Sequence, residues 1–492
     1  MKRWWLCLAA LALLFGAGAQ AETYAVSVDL DSGASYGLLV DDGGQVLTER
    51  YEYARIYALS DDVPGVFVAQ AFDQSPYLEQ NGGVWSDEPR VCLLDETGAQ
   101  LTGFDYTELS YDAAGGAIVA VRWDGGCDVL NARGEVLART DYARLSLSGS
   151  GGALALRADP EREPAGDSEF PTGDEGELVY IDADGAETAL GIRTARWQIG
   201  SYRDGLCMVY GSDGYHYFDA NGEEPFRVSF RSATDFAFGT AIVSTDEGRY
   251  GVIDAQGRYV LPPVYDTISR SDQYDAPALV AVTASGALEI RSADGGTLKR
   301  AYDPGDFLPD ADSPATGVDY AYQINAGMIV ASGDGGTAYL DLEGNLLFWA
   351  QEGETVSAWY EIEDGTLPQR VAISTGDWPE SECWLADLSG ERIGGSYRQI
   401  YCTAWLDGEG RYMTQDYDVV AEEYDGASSL TAQNVRFGIC DAGGNVLLDA
   451  AYDSITCLSA NRFWVRQGPV CGLLDETGAW LLTISDYEEL MD

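Results

Sequence analysis

Apolar residues run along this chain in short stretches punctuated by Asp, Asn, Gly and Pro, and no window sustains a 3.6-residue period. Residues 249–268, RYGVIDAQGRYVLPPVYDTI, show the pattern in full. An aromatic-Gly pair opens a short apolar strand ending in Asp, then come two turn residues, Gly, a second strand and Tyr-Asp-x-Ile. Asp-x-x-Gly between apolar runs is tight-turn chemistry, because the Asp side chain bonds the next amides and Gly adopts positive φ. A run of small and β-branched residues precedes the aromatic-Gly strand, as at 117–121 (AIVAV), 241–244, 278–282 and 328–331. The pattern predicts four short antiparallel strands per unit: a, small-apolar; b, Gly-apolar-Asp; c, the second hairpin arm; and d, Tyr-x-x-Ile.

The same order returns at 36–56, 91–109, 437–455 and 471–490, and weaker copies turn on Asn131, Asp182, Asp219, Ser292, Asp341 and Asp387. Eleven turn anchors from Asp41 to Asp475 span 434 residues (475 − 41) in ten steps, or ~43 residues per unit. The interval from anchor to tyrosine is eleven residues for Asp95 to Tyr106, Asn131 to Tyr142, Asp254 to Tyr265 and Asp441 to Tyr452. Such a period marks a propeller, solenoid or array. The expected fold class is all-β, built of tandem four-stranded, β-propeller-like units. Two rings of five to six blades are preferred and an open repeat array is the alternative. The Pro/Asp-rich stretch 304–315 is the expected linker between repeats at 22–303 and 316–492. Asp407 and Gly410 mark either a twelfth, degenerate copy or an extra hairpin within a longer unit.

Tyr36-Gly37, Tyr250-Gly251 and Phe437-Gly438, each followed by an apolar-Asp-x-x-Gly strand, carry a resemblance to the WG-repeat (KWG-repeat) family of bacterial proteins. Cys471-Gly472 occupies the same place before Asp475. The resemblance implies a β-propeller-like fold and assigns no biochemical role. By it, Gly37, Gly251, Gly438, Gly472, Asp95, Asp254, Asp441 and Asp475, with Tyr106, Tyr142, Tyr265 and Tyr452, are structural repeat positions.

Composition narrows the classes. Lys2 and Arg3, an apolar stretch from Leu6 to Phe15 and Ala19-Gln20-Ala21 form a signal-peptide pattern over residues 1–21. The mature chain is therefore expected to be exported, to the envelope or beyond, with no membrane insertion after leader removal. The full sequence of 492 residues carries 81 acidic and 29 basic groups, a formal charge of −52, with Lys299 the one lysine beyond the leader. That balance excludes a nucleic-acid binder, which needs clustered cations, while 46% hydrophobic content supplies cores. Cys127, Cys383 and Cys471 each stand four residues before a turn anchor, where other copies hold Tyr250 or Phe437. A repeated buried position makes them small hydrophobes. Lone His216 reads as a satisfied strand histidine.

No GxSxG, HExxH, phosphate-cradling loop or nucleotide fingerprint appears. The Asp-rich turns lack the alternating donors and twelfth-position Glu of an EF-hand. No cofactor is expected beyond weak divalent-cation binding by the surplus carboxylates. The a-to-b connection swells in three units, at 73–90, 158–177 and 375–382, and insertions on one scaffold share one face. Tyr77 and Trp85 in the first, with Trp378 in the third, form a candidate aromatic platform for a sugar or peptide. The expected function is an exported, non-catalytic β-repeat scaffold that binds a protein or carbohydrate partner. The alternative is a carboxylate-based polysaccharide-active enzyme, which needs only two acids at the right separation.

Overall fold

The computed structural model describes residues 22–29, 35–71, 90–123, 125–159, 176–226, 228–271, 277–303, 321–325, 328–333, 336–350, 353–357, 370–376, 379–406, 409–424 and 427–485. Apart from one 3-10 turn at Arg196–Gln198, the regular elements among the described residues are all strands. The chain divides into two compact units, residues 1–248 with 252–259, and residues 249–251 with 260–492. The expected linker 304–315 lies outside the described residues.

The fold is all-β, with tandem four-stranded antiparallel units of the propeller-blade kind, and strand order in every sheet is chain order. In the second unit four such sheets follow one another, spanning 321–349, 354–397, 399–452 and 454–485. In the first, a nine-stranded sheet runs from Thr23–Asp29 to Val136–Arg139, followed by a four-stranded and a three-stranded sheet.

The predicted hairpins share one geometry. At all eleven anchors the glycine three residues on donates its N–H to the anchor carbonyl at 2.8–3.0 Å. Those glycines have φ between +73° and +86°, the left-handed region that costs other residues about 1 kcal/mol or more. In ten turns the anchor's Oδ1 also accepts the N–H groups two and four residues ahead, at 2.7–3.0 Å. Asn131 performs the same task as the aspartates. The remaining turn is one residue longer, and there Ser292 Oγ accepts from Thr297 N. The arrangement is a type I turn closed by a glycine bulge, and the register shift it imposes appears beside the turns at Val129/Leu130, Ile439/Cys440 and Leu473/Leu474.

Glycine in the b strand answers to a different constraint. A Cβ on Gly472 would stand 2.0 Å from the Leu482 carbonyl oxygen, and one on Gly438 would stand 2.6 Å from that of Leu448. At these two positions the backbone of strand c fills the space of a side chain.

The sheets are drawn one strand earlier than the a-b-c-d units of the sequence. Each full sheet holds strand d of one repeat and strands a, b and c of the next, as in Arg144–Leu147, Ala153–Ala158, Gly176–Ile181 and Glu187–Thr194. The tyrosine is the pivot. Tyr106 still pairs with Val91 in its own b strand, and Tyr452 with Phe437, while the following residues pair with the next strand a. Tyr265 pairs with Thr283, and Tyr142 packs among Leu145, Val129 and Val179.

Burial explains why strand a reads as continuously apolar. In Ala117–Arg122, residues 117, 119 and 121 pack toward the following sheet, while 118 and 120 pack toward strands of the preceding repeat in the nine-stranded sheet. Ala153 and Ala155 against Leu154 and Leu156 repeat the division, as does Ala372 against Val371 and Ile373. A strand buried on both faces carries no polar alternation, so the core is a series of sheet-to-sheet interfaces.

Two substitutions test the repeated elements by urea unfolding. Asp441→Ala removes the acceptor of two amides and is expected to cost about 1 kcal/mol, as loss of a side-chain cap does, whereas Asp441→Asn stays near wild type. Gly472→Ala forces strands b and c apart and is expected to cost about 2 kcal/mol or more.

Candidate functional site

A cavity of about 480 Å³ lies in the second unit beside the a-to-b connection 375–382. Glu380, Ser381 and Glu382 enter it from the predicted connection 375–382, at the start of the strand Glu382–Asp387. Ser396, Tyr397 and Arg398 come from the corner where strand c ends and the next strand d begins. Thr414, Gln415 and Asp416 belong to the strand Glu409–Tyr424, and Val446, Leu448 and Asp449 to Val446–Tyr452.

Charge and packing give this cavity its character. Glu380, Glu382, Asp416 and Asp449 face a single lining arginine. Arg398 is already engaged, since its Nη1 donates to the Pro379 carbonyl at 3.0 Å and its guanidinium lies 5.8 Å from the Tyr417 ring centroid. Tyr417 is buried and its hydroxyl has no hydrogen-bond partner. The Ser396 hydroxyl donates to Glu382, and with Arg392 beside it holds the Glu382 carboxyl below the ordinary carboxylate range despite some desolvation. Burial, with the neighbouring Cys440, pushes Tyr397 up to about 12, so it stays a neutral phenol at physiological pH. The half-buried to exposed Val446 and buried Leu448 supply an apolar strip.

A fourth insertion on this face escaped the sequence reading. Between Thr414 and Phe437, strands a and b continue as a long hairpin, Glu409–Tyr424 paired with Ala427–Asp441 to the pair Tyr424↔Ala427. Asp425-Gly426, the strongest short hairpin signal, was its mark. Leu406 pairs with Glu409, and Asp407 lies outside the described residues. Tyr77, Trp85 and Trp378 lie outside the described residues.

Three repeats place an ionisable side chain where others hold the b-strand glycine, three residues before the anchor. Asp128 is fully buried and bonded to Arg122 Nη1 at 2.7 Å, to Arg139 Nε at 3.0 Å and to the Tyr106 hydroxyl at 3.2 Å. Burial pushes its carboxyl up, but the bonds and charges of Arg139 and Arg122 prevail and hold it below the ordinary value. Glu289 receives the Tyr265 hydroxyl and Arg291. His216 has Glu224 Oε1 2.8 Å from Nδ1 and Asp213 Oδ1 2.9 Å from Nε2. An acid inside an apolar strand was the available signal. These groups are satisfied within the protein and leave the cavity as the ligand-accessible chemistry. The expected small-hydrophobe cysteines Cys127, Cys383 and Cys471 are buried, and desolvation pushes Cys127 and Cys383 up to about 11.

The family model described as WG containing repeat matches residues 250–273 and 437–468, and the chain carries WG-type repeats there. No curated protein sequence matches the chain. Among solved structures it is similar to BamB from Moraxella catarrhalis, at 13% identity and a TM-score of 0.27 over 63% of this chain and 92% of that one. It is similar to a eukaryotic initiation factor at 9% identity and a TM-score of 0.38, covering 80% of this chain and 93% of that one. It is similar to the computationally designed Ika8 protein at 14% identity and a TM-score of 0.28, covering 70% and 100% of the two chains.

Asp128→Asn takes the fully buried carboxylate from Arg122, whose other acid, exposed Asp141, stands at 3.6 Å, and is expected to cost ~3 kcal/mol at neutral pH in urea unfolding. The lowered folded pKa makes the native contribution complete above the unfolded value, about 3.9, and lost as pH falls through the folded one. The gap between the two proteins should therefore close in strong acid, and a gap independent of pH would contradict the assignment.

Proposed function

From a chain that carries WG-type repeats, we propose an exported, non-catalytic β-scaffold that binds a protein or carbohydrate partner at or outside the cell envelope. The leader pattern at 1–21 supports export. No helix among the described residues is long and apolar enough to cross a membrane. Sheets packed in series make a rigid support, and function on such supports resides in the connecting segments. The observation that carries the reading is the cavity, lined from two a-to-b connections, 375–382 and the root of the hairpin beyond Thr414.

A second reading has its own support. Glu380, Glu382, Asp416 and Asp449 share the cavity with Arg398, the focused arrangement that a carboxylate-based polysaccharide-active enzyme requires. A general acid needs a raised carboxyl pKa, and Glu382 is held in the opposite direction. Glu382 therefore does not supply that acid.

Glycan and peptide arrays probed with the mature chain separate the readings. Binding that falls about tenfold in Arg398→Ala or Gln415→Ala supports the scaffold. Release of reducing ends from a polysaccharide, lost in Glu382→Gln, establishes the enzyme instead.

A further inference from the structure

Among the described residues, the long hairpin leaves a strand edge with no strand beside it. Gln399 pairs with Gln415, the last contact between Gln399–Leu406 and Glu409–Tyr424. From Asp416 to Tyr424 the only strand paired with it among the described residues is Ala427–Asp441. A two-stranded ribbon is marginal in water, and every second residue on its outer edge turns N–H and C=O outward. Such an edge is a template for a further strand.

Position and charge say what that strand is. The open edge begins where Gln399–Leu406 stops, at Gln415 and Asp416, and both residues line the cavity. A strand added antiparallel to Glu409–Tyr424 extends the line of Gln399–Leu406, and its end arrives at Glu380, Glu382 and Asp449. Exposed Asp416, Asp418 and Val420 alternate with buried Tyr417 and half-buried Val419 along the edge strand. A second copy, carrying the same acids and a formal charge of −52, is repelled from this edge. Sugars offer no ladder of amides to it.

We propose that this edge receives an extended basic polypeptide segment of a partner protein by strand addition, with a terminal Lys or Arg side chain seated in the acidic cavity. The inference rests on the binding reading above and narrows the partner to protein. Main-chain hydrogen bonds hold the segment, and the cavity selects its cation.

The test uses the mature chain and a fluorescent alternating lysine–valine octapeptide, with fluorescence anisotropy as readout. Saturable binding is expected, weakened about tenfold on moving from low to high salt. The triple variant Asp416→Asn, Asp418→Asn, Asp449→Asn, which removes the charges and keeps one side-chain oxygen acceptor at each position, should weaken binding about tenfold or more. Replacing residues 419–432 by Asn-Gly should abolish it, with circular dichroism and the Tm confirming the remaining sheets. Equal binding of a glutamate–valine octapeptide, or binding indifferent to both variants, overturns the proposal. An oligosaccharide that binds where the lysine–valine peptide does not also rejects strand addition but leaves the scaffold reading standing. Failure of every array ligand and of the peptide rejects both.

Discussion

One oxygen atom holds each repeat in register. The anchor's Oδ1 accepts two backbone N–H groups in ten of the turns, while a glycine at positive φ closes the hairpin three residues on. Side-chain period in a strand is two, so a slip of one residue in the b–c hairpin would turn every apolar residue to the wrong face. Because strands a and b are buried on both faces, a slip in one repeat would disturb two interfaces. The turn carboxylates thus do more than decorate an acidic surface. They convert a polar side chain into a fixed piece of backbone geometry, repeated along the chain.

Most of this was legible in the residues. The x-x-Gly spacing after Asp, Asn131 or Ser292 located all eleven hairpins, and the runs AIVAV and ALVAV located strands a that became Ala117–Arg122 and Ala278–Thr283. Grouping the strands was harder. Tyr106 and Tyr452 pair backward with their own b strand, while the residues after them pair forward, so local spacing alone cannot say to which sheet strand d belongs. The buried Asp128 and the half-buried Glu289 occupy a position that glycine holds elsewhere, and the arginine partners of Asp128 come from the strands on either side of its own. Motif matching does not reach such cross-strand pairs.

The candidate site was half legible. Uneven a-to-b connections pointed to one face, and the connection 375–382 does line the cavity. The remaining walls come from a c-to-d corner and from a hairpin whose length was hidden, because its strands merge with the repeat strands they extend. A ligand pocket assembled from segments some seventy residues apart, Glu380 to Ala450, is a property of sheet packing rather than of any one motif.

The central claim is that one turn geometry, used eleven times, sets the architecture. Hydrogen exchange resolved to single residues by electron-transfer fragmentation tests it directly. The amides four residues after each aspartate or asparagine anchor, Gln45, Ala99, Glu135, Ala186, Glu223, Arg258, Asn345, Glu391, Asn445 and Ala479, should all be protected, although they sit in exposed turns. Fast exchange at most of them, with protection confined to the strands, would contradict the account.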